Sequence, residues 1–66
     1  MIQTAQRQAA QMFDDLEREA MICRRYAYEY EDDGPTYDRY NEAADELFRI
    51  AELAGQLADE LDKFCV

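Results

Sequence analysis

Sixty-six residues with a net charge of −9 bound one domain at most and exclude direct binding to nucleic-acid phosphates or to an anionic membrane surface, both of which need a cationic protein face. The chain has no His and no Ser. That excludes the common nucleophile–base pairs, zinc centres and di-iron Glu-x-x-His sites, so no enzyme activity, cofactor or metal is expected.

Taken in chain order, the segment Met1 to Met12 holds four Gln and no apolar core stretch, so it does not read as a signal peptide. No apolar run approaches the roughly 20 residues of a membrane span. The expected location is the cytoplasm, or the host-cell cytoplasm if the chain is phage-encoded. The first element is a helix over about residues 4–31. Ile2, Ala9, Phe13, Leu16, Ala20, Cys23, Ala27 and Tyr30 follow the alternating three-four step of a coiled-coil seam. Ala5, Met12 and Tyr26 widen that stripe on one flank.

A turn at residues 32–36 follows, Asp32-Asp33-Gly34-Pro35-Thr36. Gly34 suits a left-handed residue that closes the first helix, and Pro35 cannot extend that helix. Thr36 is the expected N-cap of the next helix, with Asp38 in its first turn. The second helix spans about residues 37–64. Its seam is Tyr40, Ala44, Leu47, Ala51, Ala54, Ala58, Leu61 and Cys65, with Ala43, Ile50, Leu57 and Phe64 as a second row. The fold class is therefore all-α: residues 1–66 form one antiparallel two-helix hairpin. In that register Phe13, Met12 and Leu16 pack toward Ala51, Ala54, Leu57 and Ala58. Cys23 lies near residue 45 and Cys65 near residue 3, so the two cysteines are too far apart to bridge. Both are read as reduced thiols, Cys23 buried in the seam and Cys65 open beside a frayed terminus.

The apolar residues of the second helix run from Leu53 and Phe64 round to Phe48, an arc of about 220° at 100° per residue. One neighbouring helix covers nearer 100°. The simplest answer is a homodimer that completes a four-helix bundle, with Phe48, Ile50, Leu53, Leu57 and Phe64 at the dimer interface.

Two surface features point outward. All five tyrosines lie between Tyr26 and Tyr40, together with Glu29, Glu31, Asp32, Asp33 and Asp38 and no base between Glu29 and Asp38. Tyr30 and Tyr40 fall on the seam and are expected to plug the turn end, whereas Tyr28 has no internal partner. In addition, Asp38, Asp45, Glu52 and Asp59 recur every seven residues along the second helix, a row of carboxylates about 10 Å apart. With the acidic turn, the row could imitate the spaced charge of a nucleic-acid backbone; taken alone, it reads as a solvated helix face whose i,i+4 pairs Asp45–Arg49 and Asp59–Lys63 interrupt the row.

The expected function is that of a small acidic, non-enzymatic inhibitor or adaptor that docks on a basic, nucleic-acid-binding protein surface. Its partner-binding residues are Tyr28, Glu29, Glu31, Asp32, Asp33, Tyr37, Asp38, Asp45 and Glu52. The sharpest version is a nucleic-acid mimic, for which phage anti-CRISPR and anti-restriction proteins are a general analogy of size and charge, with no motif matched. The alternative is an assembly hairpin that engages a partner helix through its apolar faces. An RNA-binding dimer like ROP has the right size but needs a basic face, and here the six Arg are scattered among acids.

Overall fold

The computed structural model describes residues 1–65. Helix α1 runs Ile2–Glu29 and helix α2 Gly34–Asp62, joined by residues 30–33. The pair forms an antiparallel hairpin, a rod of 52 × 13 × 11 Å between Cα positions.

The bounds differ from the sequence expectation at the turn, and the cause is one side chain. Asp33 is the N-cap of α2, in an extended conformation at φ −108°, ψ 90°. Its carboxylate accepts from the Thr36 N–H at 3.4 Å and from the Thr36 hydroxyl at 3.0 Å. Thr36 therefore stabilises the cap as a donor and is not the N-cap itself. Gly34 is the first residue of α2 and does not have a positive φ, so the left-handed helix stop expected there is absent. Pro35 fits in the first turn, where its missing N–H has no intrahelical acceptor to lose. Asp38 falls beyond the first turn, which holds no acid. The first helix stops at Tyr30, with φ −113°, ψ 27° and an N–H still bonded to Ala27 and Tyr26 carbonyls. At the other end α2 finishes at Asp62 and not at residue 64, with Lys63 as its C-cap.

The seam is made of alanine. Ala9, Ala20 and Ala27 of α1 and Ala44, Ala51, Ala54 and Ala58 of α2 are buried, and among the described residues no large side chain is fully buried. Small seam residues let two helices approach at the short end of the usual 8–10 Å range, which leaves little room for larger groups between them. The larger apolar residues are displaced to the sides. Phe13 lies with its ring over Gly55, where an added Cβ would meet ring atoms at 3.0 and 3.3 Å. Met12, expected to pack inward, is 53% exposed. Tyr40 is the half-buried plug of the turn end, flanked by Tyr26 at 5.7 Å and Tyr30 at 5.9 Å between ring centroids. Tyr30, expected to share that role as a buried residue, is itself exposed.

Both cysteines are free and half-buried. Cys65, expected to be open, is thus half-buried like Cys23, and its thiol donates to the Leu61 carbonyl at 3.6 Å.

Candidate docking surfaces

All nine residues assigned to partner binding, from Tyr28 to Glu52, are on the surface. Tyr28 is the most open of the tyrosines at 71% exposure. Two of the nine have structural tasks. Asp33 caps α2. Asp45 is bound by the Arg24 guanidinium from the facing helix, which also donates to Asn41 at 2.7 Å. The other seven, Tyr28, Glu29, Glu31, Asp32, Tyr37, Asp38 and Glu52, are in no salt bridge among the described residues.

The expected i,i+4 pairs on α2 do not form. Arg49 binds Glu46 and Lys63 binds Glu60 at 3.1 Å, both at i,i+3. Asp45 turns across the hairpin to Arg24 instead. In the heptad row, then, Asp45 is paired, and Asp38, Glu52 and Asp59 are in no salt bridge among the described residues.

Charge is segregated between the elements. Helix α1 holds Arg7, Arg18, Arg24 and Arg25 against five acids, close to balance. Helix α2 holds Arg39 and Arg49 against eight acids, and the connection adds Glu31, Asp32 and Asp33. The potential around the rod is therefore most negative over α2 and the turn.

Of the five residues assigned to a dimer interface, Ile50, Leu53, Leu57 and Phe64 are exposed and lie on one side of α2 at helical phase, the side to which Met12 projects from α1. Phe48 is not with them. It is half-buried on the opposite side of the seam, with the Arg24 guanidinium carbon 5.9 Å from its ring centroid.

That opposite side holds a feature the sequence reading missed. An open groove of about 680 Å³ runs between the helices, floored by Ala10, Phe13, Gly55 and Ala58 and walled by Asp14, Glu17, Glu52 and Asp59. None of these four carboxylates is in a salt bridge among the described residues. They form a rim and not a chelate: no three acidic or thiol side chains gather as a metal site among the described residues. The one available signal was Gly55, the only glycine in a helix interior, which marks close approach of another group. Among the described residues no helix is long and apolar enough to cross a membrane. No family model matches the chain, and no curated protein or solved structure matches it either.

Proposed function

We propose that the protein is a non-enzymatic docking module, a homodimeric helical hairpin whose turn and α2 engage a basic surface on another protein as a nucleic-acid mimic. The observation that carries the reading is the segregation of charge. Eleven acids face two bases across the turn and α2, while α1 is near neutral. Solubility needs only net charge, wherever it lies. Concentrating it on one helix and one end, beside the open ring of Tyr28, favours steering toward a cationic partner and an aromatic anchor within the contact.

The dimer half of the reading rests on area. The chain exposes 5216 Å², whereas a compact monomer of its mass would expose about 4400 Å². Part of that excess is the shape of a 52 Å rod, and part is the large apolar surface left uncovered on α2. Pairing two copies through Ile50, Leu53, Leu57 and Phe64 would cover large apolar side chains that the alanine seam leaves in water, and would complete a four-helix bundle.

The test is affinity capture from source-cell extract with the wild-type protein and with the triple variant Glu29→Lys, Glu31→Lys, Asp32→Lys. Asp33 is spared because reversing it would uncap α2. A captured nucleic-acid-binding protein that is released by salt, displaced by DNA or RNA, and retained at least tenfold less well by the variant is the expected result. Capture that resists salt and ignores the charge reversal favours the second reading, an assembly hairpin working through the apolar side, for which the exposed Leu53, Leu57 and Phe64 speak.

A further inference from the structure

The groove beside Phe13 resembles a site that the hairpin already fills with its own arginine. Near the turn, Arg24 of α1 lies over the Phe48 ring, binds Asp45 and donates to Asn41. A guanidinium is thus held by an aromatic face and a carboxylate of α2. In an antiparallel pair, one heptad toward the termini means seven residues back on α1 and seven forward on α2, a displacement of about 10 Å. That step replaces Arg24 by Glu17, Asp45 by Glu52 and Phe48 by Gly55. The ring is not lost, because Phe13 from α1 lies over Gly55, within 3.0 Å of where a Cβ would stand. The second layer therefore repeats an aromatic ring and the α2 carboxylate and adds a second carboxylate, while Phe48 stands in place of the Asn41 acceptor and the cation is missing. Glu17, Glu52, Phe13 and Gly55 all line the groove, and Glu17 and Glu52 have no salt-bridge partner among the described residues.

We propose that this groove seats an arginine-bearing amphipathic helix of the basic partner, with one guanidinium entering between Glu17 and Glu52 beside the Phe13 ring. The inference rests on the docking function proposed above and gives the partner segment its chemistry. Charge complementarity selects the occupant. A second copy of the chain is disfavoured, since it would bring another −9 to an acidic rim. Arginine is favoured over lysine because its planar fork can serve two carboxylates while lying against a ring, as Arg24 does against Phe48. The floor of Ala10, Gly55 and Ala58 admits a helix backbone closely, and the partner's apolar side chains would pack on Phe13.

The test is an NMR titration of the full chain with a short synthetic amphipathic peptide whose arginines stand one heptad apart, alongside the same peptide with lysines. The expected result is that amide shifts centre on residues 10–17 and 52–59, and that the arginine peptide binds more tightly. The double variant Glu17→Gln, Glu52→Gln should weaken binding at least about tenfold. It should not lower Tm, since neither carboxylate has a cation partner among the described residues, whereas Glu19→Gln, exposed on the other side of α1, should change affinity by less than about twofold. Shifts confined to residues 28–38, with affinity indifferent to the double variant, would overturn the groove while leaving acidic docking standing. Equal binding of the two peptides would overturn the guanidinium assignment, and no binding of either would overturn the groove outright. The docking function itself stands or falls on the capture experiment.

Discussion

The two long sides of this hairpin share one alanine seam and differ in everything that flanks it. On one side Met12, Ile50, Leu53, Leu57 and Phe64 stand in water with their apolar surface uncovered. On the other the aromatic rings are recessed, Phe48 under Arg24 and Phe13 on Gly55, and carboxylates line the opening. A seam of small residues brings the backbones together and leaves the larger side chains named here on one flank or the other. What then decides the character of a flank is whether it offers a small residue for a ring to rest on. Gly55 and Ala58 do so on the groove side, and Ile50 and Leu57 do not on the other. One side suits an apolar partner whose binding ignores salt, and the other a cationic partner whose binding depends on it.

The largest expected effect comes from placing a charge on the apolar side. Leu57→Asp should cost about 3 kcal/mol or more of association free energy, a loss of roughly a hundredfold in the dimerisation constant. Sedimentation at micromolar concentration should give about twice the 7.8 kDa chain mass for the wild type and a monomeric or unfolded species for the variant. A wild type that sediments as a stable monomer would sink the dimer and with it half of the comparison.

Ala51→Leu attacks the seam that both sides share. Ala51 is 1% exposed, so three added carbons must push the helices apart, at about 2–3 kcal/mol. Thermal melting should register a drop of roughly 10–20 °C for a chain of this size. Arg24→Met is milder and confined to the groove side. It keeps the stem over Phe48 and removes the bonds to Asn41 and Asp45. Both Arg24 and Asp45 are substantially exposed, so solvent screening limits the loss to about 1 kcal/mol. A fall in stability as large as that of Ala51→Leu would mean that the groove side, and not the seam, holds the hairpin together.

The helix pair was legible because the three-four spacing of Ala, Leu and Tyr on both segments admits one arrangement around a short turn. Details that depend on a single competing hydrogen bond were not. Gly34 before Pro35 reads as a helix stop, yet an aspartate three residues before a threonine can cap earlier, and Asp33 does. The Asp45–Arg49 pair on α2 failed for a related reason. A linear scan offers Asp45 only Arg49, whereas the fold offers Arg24 from across the seam. The acids of the turn were readable as exposed, and they are. The groove was hidden because Glu17 and Glu52 come to line one opening only once the register of the two helices is fixed.

The smallest effect expected is also the finest probe of the groove. Gly55→Ala gains about 1 kcal/mol of helix propensity in an α2 interior. The new Cβ meets Phe13 ring carbons at 3.0, 3.3 and 3.6 Å, so the ring must yield by a few tenths of an ångström. Phe13 is half-buried and faces an open groove. It can therefore tilt outward, and the contact offsets only part of the gain. The net should be stabilising by about 0.5 kcal/mol, a rise of roughly 2–4 °C in Tm. In a Phe13→Leu background the same change should deliver nearly the full propensity gain, because the ring is no longer there to move. The difference between the two backgrounds measures the coupling of Phe13 to Gly55 directly. Identical gains in both would mean that the ring does not rest on Gly55, and the recessed aromatic floor that distinguishes this side from the other would lose its basis. A net loss in the wild-type background would instead show Phe13 held rigidly, a groove already shaped before any partner arrives.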